Sequence, residues 1–290
     1  ITTVVDLSLQ EDFGFSAIIS VGNQADMGFD EFLKFVSDDA DTKSIILYIE
    51  EIKNGRAFMK VIGEVAEKKP VVVLKSGASK KGQKAASSHT GSLAGSYEVY
   101  MAAFKQVRVI TAESLKEAFQ IGELLASEGH PEGNRAIIIS NAGGLSVLAS
   151  DYAEKYGVEV IDLPEKLLDE FNSFLTPQWS HENPMDLVGD AGADRYARVF
   201  DVMIRNQDIW DIAFVVAVPS PFLDPRHLAQ EVVRFSNHTQ KMIVGCVLGG
   251  DSMRSGVHVL RKASIPNFSE LEEAFRTVGK HWACKKVYGE

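Results

Sequence analysis

Apolar residues recur along the chain with two alternating periods. Short, near-continuous runs stand at Ala17-Ile18-Ile19-Ser20-Val21, at Ser44 to Ile49, at Val71 to Leu74 and at Val107 to Ile110. Runs of this length bounded by turn residues read as strands covered on both faces, the mark of a parallel sheet. Between them the period lengthens to that of a helix. Phe29, Phe32, Leu33 and Val36 share one face, as do Phe58, Val61, Ile62 and Val65. Residues 3–10 read as the remainder of a helix ended by Gly14, and further helices are expected from Ser96 to about Lys105 and from Ser114 to Ser127.

The stretch Glu128 to Arg135 is rich in breakers and charge, and the alternation then restarts. Strands are predicted at Ala136–Ser140, Val158–Ile161, Ile212–Val218 and Met242–Leu248. Helices are predicted at Leu145–Tyr156, Pro164–Asn172, Tyr196–Asn206 and Leu228–Phe235, with short elements near 257–261, 265–266 and 271–277. Ser173 to Asp194 has no period and reads as irregular. The pattern therefore predicts an α/β protein made of two doubly wound, flavodoxin-like parallel-sheet domains, residues 1–128 and 129–290.

One stretch fits neither period. Lys75 to Ser96, KSGASKKGQKAASSHTGSLAGS, holds four glycines, six serines and the single histidine His89. Long structureless loops inside compact domains are uncommon and tend to be functional. An imidazole on such a loop is a candidate nucleophile, since it is largely neutral at physiological pH with a lone pair available, and covalent catalysis splits one hard transfer into two. A solvated loop histidine is the plainer alternative. A nucleophilic histidine needs a carboxylate on its other nitrogen to fix the tautomer. Glu50 and Glu51, at the end of a neighbouring predicted strand, are placed to supply it, although charge after a strand is also ordinary surface. Asn141-Ala142-Gly143-Gly144 is a strand–turn–helix junction, where free N–H groups and the helix dipole favour an anion. A plain tight turn explains it equally well.

Composition narrows the field. Of 290 residues, 45% are apolar and 24% charged, which is the make-up of an ordinary folded protein. A formal charge of −10 leaves no basic surplus for neutralising nucleic-acid phosphates, so no nucleic-acid partner is expected. Lys75, Lys80, Lys81 and Lys84 are the local exception, either a solvated loop tip or a guide for phosphate. No apolar run is long enough for a membrane span, and no export signal opens the chain. Cys246 and Cys284 stand far apart, consistent with a reducing cytoplasm. No metal site is expected, because His227, His238, His258 and His281 lack partners at ligand spacing.

These residues carry a family resemblance. KSGASKKGQKAASSHTGSLAGSYEVYMAAFKQ resembles the phosphohistidine segment of the ADP-forming acyl-CoA synthetases, the acetate–CoA ligases related to succinyl-CoA synthetase. GFSAIISVGNQADM, IILYIEEIKNGRAF, IIISNAGGLSVLASDYAEKYG and NPMDLVGDA are similar to further segments of that family, in the family's order. The resemblance implies succinyl-CoA synthetase-like domains and a phosphorylated histidine at His89, flanked by Ser88 and Gly91 as supporting residues. The family's glutamate that holds this histidine falls on Glu50, with Glu51 one residue away as the alternative. Asn141, Ala142, Gly143 and Gly144 would open a phosphate-facing helix, with Asn183 and Asp186 in support.

The implied reaction is acyl-CoA + ADP + phosphate to acid + CoA + ATP, and its reverse. Phosphate displaces CoA to give an acyl phosphate, and the histidine carries the phosphoryl group to a nucleotide site. Family members hold CoA on a Rossmann-like CoA-binding domain and ADP or ATP, with Mg, on an ATP-grasp domain or subunit. Neither domain is seen in this stretch, nor is an SxSG-type turn ahead of Ile1. The chain is therefore expected to need both as partners, in an oligomer or a longer polypeptide, to act on a small acyl substrate. The same domains also occur fused to protein acetyltransferases as regulatory ligand sensors; a histidine at position 89 favours the enzyme.

Overall fold

The computed structural model describes residues 2–11, 14–84, 96–129 and 131–288. They form two compact units, one running to Ala126 and taking in the chain from Cys284, the other running from Ser127 to Ala283. This division departs from the expected 1–128 and 129–290 in two places. Glu128 groups with the second unit, where its carboxylate accepts the Ile243 N–H at 3.2 Å. Cys284 packs instead against the first unit's cluster of Val72, Ile110 and Ile121.

In the first unit the described elements are α1 (Thr2–Glu11), α2 (Phe29–Asp38), β1 (Ile45–Ile49), α3 (Gly55–Ala66), β2 (Val71–Lys75), α4 (Tyr97–Phe104), β3 (Val109–Ala112) and α5 (Leu115–Ser127). The sheet is parallel with order β1-β2-β3. Every residue of β2 is buried, and the reason is that helices cover both faces. Val71 and Val73 pack with Leu33, Phe58, Ile62 and Phe104, whereas Val72 and Leu74 pack with Ala118, Ile121 and Leu125. Full burial of each such side chain is worth about 1.5–3 kcal/mol. Alternation disappears from the sequence of β2 because neither face meets water.

The stretch Ala17–Val21, expected as a strand, pairs with no strand among the described residues, and Ile18 and Ile19 are 41% and 37% exposed. Apolar β-branched residues mark a candidate strand, but only a ladder makes one.

The second unit contains β4 (Arg135–Ser140), α6 (Gly143–Tyr156), β5 (Glu159–Val160), α7 (Glu165–Asn172), β6 (Met185–Asp186), α8 (Ala193–Arg205), β7 (Ile212–Ala217), α9 (Pro225–Asn237), β8 (Met242–Val247), α10 (Arg254–Lys262) and α11 (Leu271–Tyr288), whose end belongs to the first unit. Its parallel sheet has order β5-β4-β7-β8, with β6 also on β4. One edge of β4 is thus shared. β5 pairs with Arg135 and Ala136, and β6 pairs with Ile139 and Ser140. The two-residue β6 lies inside the region expected to be irregular; near the C-terminus the element expected at 257–261 falls within α10, and that expected at 271–277 opens the longer α11. The core is continuous across β4 and β7, from Ile137 and Ile139 to Phe200, Trp210 and Phe235.

Candidate functional site

In open α/β sheets, ligands gather outside the carboxyl ends of the strands. In the first unit that edge carries Glu50 and Glu51, immediately after β1, and Lys75, the last residue of β2. Lys75 is only 6% exposed, so the sequence-based choice between a solvated loop tip and a phosphate guide does not describe it. Its Nζ donates to the carbonyl oxygens of Glu50, at 2.8 Å, and of Ser76, at 2.6 Å. It also lies 4.6 Å from the centroid of the Tyr100 ring. An ammonium taken from water must be satisfied by hydrogen bonds and opposite charge. Burial lowers the Lys75 pKa, and the nearby carboxylates of Glu50 and Glu51 oppose that shift. The turn after β1 is held from further sides. The Ile52 N–H donates to the Tyr100 hydroxyl at 3.2 Å, and Gln24 Nε2 donates to the Glu51 carbonyl at 2.9 Å. Sequence reasoning named Lys75 without its burial and missed Tyr100 as a site-forming residue. The available signal was a lysine ending an otherwise apolar strand. His89, Ser88 and Gly91 lie outside the described residues.

The second unit places Asn141 to Gly144 at the carboxyl end of β4. Asn141 is buried, with its amide spent on backbone: Nδ2 donates to the Val218 carbonyl at 3.1 Å, and Oδ1 accepts the Val218 N–H at 2.9 Å. It ties the exit of β4 to the exit of β7. Ala142 is the N-cap residue of α6, and no side chain caps that helix. Its own N–H is taken by the Ser140 hydroxyl, 3.0 Å away. Gly143 and Gly144 thus begin the helix with N–H groups that face no capping side chain, an arrangement suited to an anion.

Asp186 stands beside this terminus. Its Oδ1 accepts the Val188 N–H at 3.0 Å, and its Oδ2 would lie 2.6 Å from a Cβ placed on Gly143. A side chain at 143 would collide with it; Gly144 faces open space. The structure therefore brings Asp186 to the Asn141–Gly144 turn. The Asn183 side chain serves elsewhere. Its Nδ2 donates to the carbonyls of Ala136 and Ile161, each at 2.9 Å, and its Oδ1 accepts the Ile138 N–H at 2.9 Å. One amide thus fills the gap on β4 between β5 and β6. Among the described residues no group of His, Cys, Asp or Glu is arranged to hold a metal ion. No helix among them is long and apolar enough to cross a membrane.

Comparison with known proteins places both units in known domain families. Residues 1–125 match the succinyl-CoA ligase like flavodoxin domain, and residues 136–282 match the ligase-CoA domain. The chain is 39% identical over 281 residues to the alpha subunit of acetate–CoA ligase [ADP-forming] I from Pyrococcus furiosus, covering 96% of this chain and 60% of that subunit. It is 34% identical to 4-hydroxybutyrate–CoA ligase [ADP-forming] from Nitrosopumilus maritimus, covering 95% of this chain and 39% of that protein. Among solved structures it resembles the dinucleotide-forming acetyl-coenzyme A synthetase 1 of Ca. Korarchaeum cryptofilum in complex with phosphate and ADP. There the TM-score is 0.91 and the identity 31%, with 98% of this chain and 62% of that one covered. The chain thus spans about 60% or less of the length of these relatives.

Proposed function

Because the chain belongs to the family of ADP-forming acyl-CoA ligases, as its succinyl-CoA-ligase-like flavodoxin domain and its ligase-CoA domain show, we propose that it is the phosphoryl-carrying, CoA-ligase portion of such an enzyme. The reaction is acyl-CoA + ADP + phosphate to acid + CoA + ATP, reversible, with a phosphohistidine at His89. A phosphate oxygen attacks the thioester carbonyl, the C–S bond breaks and CoA leaves as its thiolate. A ring nitrogen of His89 then attacks phosphorus, and the acid departs as carboxylate. The terminal phosphate of ADP finally takes the phosphoryl group as the P–N bond breaks. In this scheme Glu50, or Glu51 beside it, accepts a hydrogen bond from the N–H of the other ring nitrogen and stabilises the charged imidazole. The N–H groups opening α6 suit a phosphate or phosphoryl group, that helix end contributing about 0.3–1 kcal/mol where exposed.

The observation that carries this reading is the placement of Glu50 and Glu51 at the carboxyl end of β1, against Lys75 and Tyr100, which bracket the segment bearing His89. CoA, ADP or ATP and Mg are substrates held mainly by a CoA-binding domain and an ATP-grasp domain or subunit. The complete enzyme is an oligomer or longer polypeptide in the reducing cytoplasm, consistent with the free thiols of Cys246 and Cys284. The test is incubation with labelled acetyl phosphate, followed by assay for phosphate that is acid-labile and base-stable. The label is expected on the wild type and absent from His89→Asn. Equal labelling of both proteins removes the reading.

A further inference from the structure

Residues Ser16 to Gln24 run beside β1 without pairing to it. The hydroxyls of Ser16 and Thr42 share a hydrogen bond of 2.7 Å where β1 is about to begin. Just past its end, Gln24 Nε2 donates to the Glu51 carbonyl at 2.9 Å, and Lys53 Nζ donates to the Gln24 carbonyl at 3.0 Å. The two stretches therefore point the same way and are tied at both ends. Between the ties lies Ala17–Val21, which joins no described strand and leaves Ile18 and Ile19 exposed.

β1 has one side to spare. Ile45, Leu47 and Ile49 pack with Phe58 and Ile62 of α3 on one face, and Ile46 meets Gly122 of α5 on the other. β2 holds one edge. In a parallel ladder a residue turns its N–H and its C=O to the same neighbour, and the next residue turns them to the opposite side. Ile45 donates to the Pro70 carbonyl and Ile49 accepts from the Ser76 N–H, so Ile45, Leu47 and Ile49 face β2. The main-chain groups of Ile46 and Tyr48 face the outer edge, where no described residue bonds them, and Tyr48 is half exposed. Unpaired strand edges of this kind are templates for a further strand.

Flavodoxin-like sheets have the order 2-1-3-4-5, and this unit matches a flavodoxin-like domain family. Ala17–Val21 stands between α1 and α2 in the chain, and β1, β2 and β3 follow. Ala17–Val21 thus takes the second place and β1 the third. The first place falls between them and feeds α1.

We propose that the first unit is completed by a parallel strand inserted between Ala17–Val21 and β1, donated by the polypeptide that runs into α1. That strand would match the five residues of β1 and be apolar on both faces, because helices cover both faces of its neighbour. A short loop of about 2–6 residues would join it to α1, giving the right-handed crossover to Ala17–Val21. Relatives have polypeptide to supply it: the matched stretch covers only 60% of the Pyrococcus furiosus alpha subunit. This inference does not depend on the chemistry assigned to His89.

The test compares residues 1–290 with the same chain carrying about fifteen of its native residues ahead of Ile1, by amide hydrogen exchange. In the extended chain, exchange at Ile46, at Tyr48 and within Ala17–Val21 is expected to slow by at least about 10-fold, while Leu47 and Ile49 are protected in both. Tyr48→Pro removes a donor that faces away from β2, a change that edge strands tolerate. It should leave Leu47 and Ile49 protected in the shorter chain and abolish the slowing at Ile46 in the extended one. If the variant fails to fold, the comparison of the two chain lengths decides alone. Unchanged exchange at Ile46 and Tyr48 on extension overturns the proposal, as does a native polypeptide whose mature N-terminus is Ile1. Protection of both residues in the shorter chain that rises with protein concentration would assign the edge to a second copy and overturn it too.

Discussion

Gly143 and Gly144 stand side by side at the start of α6, yet their surroundings differ. A methyl group at 143 would meet the Asp186 carboxylate, whereas at 144 it would meet nothing. Gly143→Ala should therefore cost about 1–3 kcal/mol by overpacking. Gly144→Ala should gain up to about 1 kcal/mol, because alanine is the better helix former. Combining Gly143→Ala with Asp186→Ala should cost less than the sum of the two single changes; additive losses in urea titrations would contradict the collision. Asn183 illustrates a different limit of sequence reading. Its proximity to Asp186 in the chain groups the two together, but its amide completes the hydrogen bonding of β4. Asn183→Ala leaves three backbone groups without that partner, and the expected loss is about 2–4 kcal/mol by denaturant unfolding. A loss under about 0.5 kcal/mol, the size of an ordinary surface change, would show that water replaces the amide there. Lys75 was visible as a residue but not as a buried one, since burial depends on the turn and ring that fold over it.

At the scale of elements, strands and helices with a clear period were legible, because β2 and β4 advertise two-sided burial and the helices their apolar stripes. Three features were not. Ala17–Val21 has strand composition without a ladder among the described residues. β6 is too short to carry a period and exists because Asn183 and β4 hold it in place. α11 runs well past the expected 271–277, and a Cβ on its Gly279 would lie 2.3 Å from the Tyr156 carbonyl, so the glycine serves close approach between two helices. The linker before β4 hides a further element-scale property. Glu128 bonds the Ile243 N–H, and burial raises its carboxyl pKa to about 7, which that bond only partly opposes. Between its unfolded value of 4.5 and 7 the folded state binds the extra proton, so this group's contribution to stability falls as pH rises through that window. Glu128→Gln keeps the acceptor and removes the charge. It should be more stable than the wild type at pH 7.5 by up to about 3 kcal/mol and near equal at pH 4.5. A stability difference that does not change between those two pH values would contradict the assignment.

The molecule as a whole repeats one architectural idea in its two units, a parallel sheet with chemistry-bearing residues at the carboxyl ends of its strands. In the first unit these are Glu50, Glu51 and Lys75; in the second they are the opening of α6 and Asp186. The family was legible from the SSHTGSLAGS core and its companion segments, because chemistry constrains those residues more tightly than packing does. The contact of Lys75 with the Tyr100 ring was not, because it joins residues that lie on either side of the motif. The central claim is that phosphorus rests on His89. The most direct measurement is mass spectrometry of the chain after acetyl phosphate treatment, under neutral to alkaline handling that preserves phosphoramidates. A phosphoryl group on the peptide containing His89, lost on brief acid exposure, is the predicted result; a phosphoryl group found on serine or threonine alone, or on no residue, would contradict it.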